Sequence, residues 1–218
     1  MASACPPPHI LCGMRRFFAT LIPPILALAA VEAAAAQNHV GSQPREGLWI
    51  GLGAGYGSAA ASASCEGCSG DRTGSFTGFL KLGGTLNPQV LLGVESNAWI
   101  KIPNGANDLD ARLTLAAVSG TVTVYPVVTS GFFLKGGVGL SYMSTDVRLS
   151  GLSAHASKAG WGVIGGLGYD LRVGRKTSIT PSFNYSYGKP GDISVGGDLV
   201  FPGWNHSVLD FALGITFH

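Results

Sequence analysis

The stretch Gly47-Leu-Trp-Ile-Gly-Leu-Gly-Ala-Gly-Tyr-Gly57 decides the fold, because large and small residues alternate along it with a period of two. One face carries Leu48, Ile50, Leu52, Ala54 and Tyr56, and the other carries Trp49 and four glycines. Successive side chains of a β-strand point to opposite faces of the sheet. The stretch therefore predicts a strand with one bulky and one small-residue face, running over residues 47–59.

The same period continues to the end of the chain and predicts seven further strands. Strand four of the eight, at about 110–125, loses its clean alternation near residues 118–124, which predicts a β-bulge there. The seven segments are about 75–86, 89–101, 110–125, 132–142, 158–173, 179–187 and a last strand that ends at His218.

The connections between these segments alternate in length. They are long after strands one, three, five and seven, and short after strands two, four and six. This alternation is typical of outer-membrane barrels, whose periplasmic turns are short and whose external loops are long. The pattern predicts an all-β fold, an eight-stranded antiparallel up-and-down transmembrane β-barrel with both termini in the periplasm.

The small-residue face indicates which side of the barrel faces inward. Glycines on a solvent face would weaken a strand without any packing gain, whereas a narrow eight-stranded lumen leaves room only for compact side chains. A soluble, lipocalin-like ligand-binding barrel is the alternative that alternation alone leaves open. With the glycines inside, the same period places charges of both signs in the lumen: Lys81, Glu95, Lys101, Arg112, Lys135, Asp170, Arg172 and Asp210. We expect Lys135 and Asp170 to form an ion pair there.

Aromatic residues on the opposite face should cluster at the two bilayer interfaces. One predicted girdle comprises Tyr56, Phe76, Tyr142, Trp161, Tyr185 and Tyr187, and the other comprises Tyr125, Phe132, Tyr169 and Phe217. The residues between them are aliphatic apart from Phe183 and Phe211. This sorting by depth favours a barrel in lipid.

The N-terminal segment has the features of a secretory signal peptide. Arg15 and Arg16 precede the apolar run 17–31, which is shorter than the roughly 20 residues of a spanning helix. Small residues follow, and we expect cleavage after Ala36. Residues 1–36 are thus a predicted signal peptide and residues 37–218 the barrel domain; translation starts at Met1 or Met14.

Composition limits the classes of function. Charged residues make up 12% of the chain, the net charge is +2, and 33 residues are glycine. Such a chain has no electrostatic footprint for nucleic acid. We expect no cofactor, and the expected partners are outer-membrane lipid and lipopolysaccharide.

Two motifs lie in predicted external loops. Cys65 and Cys68 are expected to form a small disulfide, since the compartment is oxidising; metal binding with Asp71 or a histidine is the weaker alternative. His155-Ala156-Ser157 is similar to the His-x-Ser element of outer-membrane lipid A deacylases. A hydrolase also needs an orienting acid, and the nearest one downstream, Asp170, is predicted to lie far away at the periplasmic end.

The chain resembles the family of small eight-stranded outer-membrane β-barrel proteins. The resemblance is carried by residues 168–176 (GYDLRVGRK), which lead into Ser178-Ile-Thr-Pro181, and by the last strand, Leu213-Gly-Ile-Thr-Phe-His218. It implies that the barrel-assembly machinery reads a C-terminal aromatic strand. Here Phe217 is penultimate and His218 is last, which departs from that pattern.

The sequence therefore predicts a non-enzymatic integral protein of the outer membrane of a Gram-negative-type cell. Its external loops would have a structural or surface-interaction role, and side chains would plug its lumen. A lipid A-modifying enzyme is the alternative function.

Overall fold

The computed structural model describes residues 45–64, 70–102, 109–149, 152–195 and 198–218. Nine strands are present in these ranges, and no helix in them could cross a bilayer. The strands are β1 Leu48–Ser62, β2 Thr73–Asn87, β3 Val90–Lys101, β4 Leu109–Val124, β5 Phe132–Leu149, β6 Leu152–Tyr169, β7 Leu171–Arg172, β8 Thr177–Val195 and β9 Asp198–Phe217. The predicted signal peptide, residues 1–36, lies outside the described residues.

The strands form one closed antiparallel sheet. From β1 to β6, and from β7 to β9, each strand pairs with the next in chain order, and β9 returns to pair with β1. The two-residue β7 continues β6 after a break at Asp170, and both pair with β8. Eight strands thus surround the lumen in up-and-down order, which confirms the predicted fold. We call the end that holds Arg45 and His218 the terminal end, and the opposite end the distal end.

The outward face is apolar and exposed, as the period predicted for this fold. Val138 and Leu140 are 68% and 67% exposed on β5, whereas Phe133 on the inward face of that strand is 1% exposed. Inward glycines make room for large side chains. A Cβ at Gly53 or at Gly214 would lie 2.6 Å from the Phe79 ring. Phe79 therefore occupies lumen volume that only glycine leaves open on the opposing strands.

Tyr125 corrects the predicted terminal girdle. It is 3% exposed and packs against Phe133 inside the barrel, with ring centroids 5.6 Å apart. Thr121 and Thr123 precede it on the same inward row, because β4 keeps its alternation to the end. The outward row is Val118, Gly120, Val122 and Val124.

The predicted bulge in strand four is wrong for the same reason. The pairing of β4 with β3 and β5 runs without a register shift. Apolar residues switch faces along the strand: Leu115 is buried inside near the distal end, whereas Val118 is 51% exposed outside. The face that carries the apolar residues changes along β4, but the pairing of its backbone continues without a shift. Shifts occur instead at Thr85/Asn87 and between Gly188 and Ser194.

Two of the predicted long distal connections are also wrong. β5 ends at Leu149 and β6 begins at Leu152, while β8 ends at Val195 and β9 begins at Asp198. The strands simply extend, since Ser144 pairs with Ser157 and Asp146 with His155. Backbone hydrogen bonds hold such an extension, so it does not need the one-sided apolar pattern from which strands are predicted.

Candidate functional site

The inward side chains of the described residues lie in three layers. A cluster of Trp49, Leu91, Tyr125 and Phe133 lies toward the terminal end. A charged layer with Lys81, Glu95, Lys135 and Asp210 lies above it along the strands. A second apolar cluster follows toward the distal end, formed by Ala59, Trp99, Leu115, Met143, Trp204 and Val208. The charges are thus enclosed between two apolar layers.

Asp170 is the centre of the polar contacts at the terminal end. Its side chain is fully buried and accepts hydrogen bonds from the Tyr125 hydroxyl at 2.6 Å and the Thr180 hydroxyl at 2.7 Å. Nε2 of His218 lies 3.6 Å from the same carboxylate. The chain's last side chain therefore lies inside the barrel mouth, next to the acid at which β6 is interrupted.

Lys135 and Glu95 form a buried ion pair across the charged layer. Nζ lies 2.5 Å from Oε1, and the two side chains are 5% and 1% exposed. Charge-assisted hydrogen bonds of this kind are short and strong when both groups are desolvated. The pair joins β3 to β5, which are not neighbours in the sheet.

The predicted Lys135–Asp170 ion pair is wrong. Lys135 is registered opposite Gly166, and Phe133 is opposite Gly168, closer to the terminal end. The Phe133 ring occupies the space that a Cβ at Gly168 would need. This ring separates Lys135 from Asp170, so the lysine reaches across to Glu95 instead.

Lys81 and Asp210 complete the charged layer. The Lys81 ammonium lies over the rings of Trp49, Phe79 and Phe133, at 5.4–5.8 Å from their centroids. Ring faces stabilise a desolvated cation. Asp210 accepts a hydrogen bond from Asn184 Nδ2 at 2.9 Å.

Sequence reasoning missed Arg45. Its guanidinium lies 3.5 Å from the centroid of the Tyr125 ring and donates to the carbonyls of Val128 and Ser130, at 3.3 and 2.9 Å. Arg45 comes before the first strand, where alternation carries no signal about side-chain direction. The predicted lumenal Arg172 is half-buried at this same terminal end.

Sequence reasoning also missed a serine–histidine pair in the distal half of the lumen. Ser141 Oγ and His206 Nε2 are 3.2 Å apart, and both residues are buried. They line a cavity of about 30 Å³. A cavity needs roughly 10–15 Å³ to hold one water, so this cavity suits a few waters rather than an acyl chain or a sugar.

Arg112 corrects the list of predicted lumenal charges. It is exposed on the outward row of β4 and is registered opposite Asp146. Lys101, on the inward row, donates to the Gly74 carbonyl at 3.2 Å. Arg112 was assigned to the lumen because Leu113 and Leu115 were expected to face lipid. Leu115 instead lies in the distal apolar cluster inside the barrel, so Arg112, on the opposite face of β4, points outward.

The acid beside His155 is Asp146 rather than Asp170. His155 Nδ1 lies 2.7 Å from Asp146 Oδ1 on the outward face of the β5–β6 hairpin, and both side chains are more than half exposed. Ser157 is on the same row. The pairing of β5 with β6 brings Asp146 and His155 together, and the sequence pattern does not show this register.

Cys65 and Cys68 lie outside the described residues. Within the ranges that the structure covers, no three His, Cys, Asp or Glu side chains are grouped so that they could hold a metal ion.

This barrel is similar to several solved structures, among them Ail and Neisserial surface protein A. Ail, the attachment invasion locus protein of Yersinia pestis, is 14% identical with a TM-score of 0.54, over 79% of this chain and 99% of that chain. Neisserial surface protein A is 17% identical with a TM-score of 0.50, over 78% and 96%. At such identities the likeness concerns the fold. No curated protein matches the chain.

The closed sheet, the apolar exterior and the charged interior define a small membrane barrel. The family model described as "Outer membrane protein beta-barrel domain" matches residues 24–211. The chain therefore belongs to the outer-membrane β-barrel family, and the soluble ligand-binding alternative does not apply.

Proposed function

We propose that the protein is a non-enzymatic outer-membrane protein with a lumen plugged by side chains and a surface role for its distal hairpins. The Lys135–Glu95 pair carries this proposal, because it crosses the middle of the lumen between two apolar clusters. An eight-stranded barrel has an interior just wide enough for side chains to fill. The crossing of the lumen by this pair and the narrow interior of such a barrel support a lumen without a general diffusion path.

The distal hairpins support the surface role. The β5–β6 hairpin continues seven residues beyond Tyr142 to Leu149, and β6 begins nine residues before Trp161. Tyr142 and Trp161 belong to the distal aromatic girdle, at the level of the bilayer interface. The rest of the hairpin therefore projects past the membrane, where it is available to other molecules.

Conductance measurements test the plugged lumen, and accessibility on intact cells separately tests the outward position of the distal hairpins. In a planar bilayer we expect the full barrel to show no stable open channel, and an open pore of porin size would contradict the plugged lumen. On intact cells, added protease or a labelled antibody should reach a tag inserted after Leu149, whereas a tag at Val128 should stay protected. The opposite labelling would contradict the orientation.

We propose that insertion of the barrel into the outer membrane depends on its last strand, β9. Phe217 is exposed on the outward face at the end of β9, where the barrel-assembly machinery would meet an aromatic residue. His218 turns inward and leaves Phe217 accessible. Phe217→Ala should slow insertion by purified assembly machinery, and an equal rate would contradict this role.

A second candidate, ester hydrolysis at the outer face, is favoured by the Asp146–His155 pair. A carboxylate on Nδ1 orients a histidine to act as a general base, and Ser157 would be the nucleophile. Ser157 lies four residues beyond Trp161 on the same row, which is about 13 Å along the strand. That position is in the headgroup region, away from the acyl esters near the hydrocarbon boundary.

Mass spectrometry of lipid A distinguishes these functions. The non-enzymatic proposal predicts the same acylation pattern with the wild type, with Ser157→Ala and without the protein. Loss of an acyl chain that requires both Ser157 and Asp146 would establish the hydrolase instead.

A further inference from the structure

Three hydrogen bonds anchor the Arg72 side chain on the outward face near the distal end. Its Nε donates to Ser58 Oγ at 2.8 Å, Nη2 donates to the Ser58 carbonyl at 2.6 Å, and Nη1 donates to Ser207 Oγ at 3.2 Å. Ser58 is on β1 and Ser207 on β9. The guanidinium thus lies across two strands.

This fixed cation keeps hydrogen-bonding capacity for a ligand. A guanidinium has five N–H donors, and three are used in these contacts. Arg72 is exposed, and the ion pairs of the described residues do not include it. Two N–H donors of an anchored arginine, which forms no ion pair among the described residues, therefore remain for a ligand.

Aromatic pairs lie immediately on the terminal side of the cation. Tyr56 and Phe76 are in edge contact with ring centroids 6.0 Å apart, and Tyr56 is two residues from Ser58 on the same row. Amphipathic aromatic rings mark the boundary between hydrocarbon and headgroups. Arg72 is consequently at the level of the headgroups.

Lys189 repeats this arrangement on the next strand. It is exposed, opposite Trp161, and two residues beyond Tyr187. Trp161 and Tyr187 pack with centroids 5.9 Å apart. Tyr187 is also the cross-strand partner of Ser207, which Arg72 contacts. Two strand steps and one strand spacing separate the Cα of Lys189 from the Cα of Ser207, which Arg72 contacts, by roughly 8 Å.

We propose that Arg72 and Lys189 bind the phosphate of a phosphorylated glycolipid in the outer leaflet. The inference rests on the proposed orientation, with the distal end facing outward. A guanidinium fork matches phosphate oxygens, and a lysine adds a mobile point charge. The acids nearest in sequence are Asp71 and Asp192, and the ion pairs of the described residues join neither of them to these cations. Asp192 accepts a hydrogen bond from the Gly203 amide at 2.8 Å. The aromatic pairs beneath would contact the lipid's sugar and the first part of its acyl chains.

Binding to the folded, full-length barrel in detergent tests this site. Native mass spectrometry would measure the affinity for lipid A bearing its phosphates, for dephosphorylated lipid A, and for inorganic phosphate. The double variant Arg72→Gln/Lys189→Gln is compared with Arg175→Gln/Lys176→Gln, which removes two exposed cations at the terminal end. Heat-modifiable migration in gels confirms that each variant is folded, and Lys189→Gln alone serves if the double variant does not fold.

We expect the distal double variant to bind phosphorylated lipid A at least about tenfold more weakly, since two charge-assisted contacts are lost. The Arg175→Gln/Lys176→Gln variant should bind phosphorylated lipid A like the wild type. Dephosphorylated lipid A should bind the wild type and the Arg72→Gln/Lys189→Gln variant equally weakly. Unchanged affinity in the distal variant would overturn the proposal, as would an equal loss in the terminal variant. Equally tight binding of inorganic phosphate would assign the site to the free ion. An open channel with intact lipid binding would contradict the plugged lumen alone.

Discussion

Lys135 of β5 and Glu95 of β3 meet inside the barrel at 2.5 Å, although β4 lies between their strands. Removing one partner leaves a buried charge without compensation, which typically costs about 3–5 kcal/mol. Glu95→Gln should therefore lower the free energy of unfolding in urea by that amount. The exposed pair provides a control, and Asp146→Asn should change it by less than about 1 kcal/mol.

Replacing both members of the buried pair gives a different result. Lys135→Met/Glu95→Leu removes both charges together, and such apolar replacements are often neutral or stabilising by about 1–4 kcal/mol. We expect the double variant to be more stable than Glu95→Gln in the same urea titration. A double variant as unstable as the single one would mean that packing, not charge, causes the loss.

Tyr125→Phe tests the contacts of Asp170. The substitution removes the 2.6 Å hydrogen bond to a fully buried carboxylate while retaining the ring. A hydrogen bond to a charged group contributes about 1.5–3 kcal/mol, which is the expected destabilisation. Tyr142→Phe alters a girdle tyrosine on the outward face and should have little effect; equal losses would contradict the inward placement of Tyr125.

Two exposed valines test which face meets lipid. Val138 is on the outward face of β5, and Val127 is in the turn at the terminal end, with 68% and 56% exposure. An arginine in the hydrocarbon costs about 2–4 kcal/mol near the midplane and little at the interface. Val138→Arg should therefore destabilise the barrel in lipid vesicles, and Val127→Arg should not. Equal effects would mean that the outward face does not contact hydrocarbon at Val138.

Gly53→Ala tests how the lumen is filled. The added Cβ would lie 2.6 Å from the Phe79 ring and 2.7 Å from the Gly214 backbone. Because the backbone cannot yield as a flexible side chain can, we expect a clear loss of stability, on the order of 1–3 kcal/mol as for other overpacked sites. At Gly165 a Cβ would meet nothing within 4 Å, so Gly165→Ala is the matched control. Folding yields and urea midpoints provide the comparison.

The period of two was sufficient to predict the fold, because the lipid and the lumen impose different solvents on alternate residues. Trp49 and the glycines of β1 are inside for this reason, and Leu140 is outside. Where both faces of a strand meet water, the constraint disappears. The distal ends of β5, β6, β8 and β9 therefore lie outside the strands that the period predicts.

The interior contacts required more than the period. Alternation predicted that Lys135 and Asp170 point inward, but the choice of partner depends on heights and on the Phe133 ring between them. Arg112 was assigned to the wrong face because the distal core takes Leu115 inward. Arg45 and His206 gave no periodic signal that would have selected them.

Sequence alone determined that this chain is an eight-stranded barrel with an apolar exterior, since each strand records the two environments of its faces locally. Tertiary structure alone decided which charges meet across the lumen, which acid lies beside His155, and where Arg72 is anchored. These relationships join residues far apart in the chain, and strand register and side-chain volume set their distances. The local alternation of residue types records neither quantity.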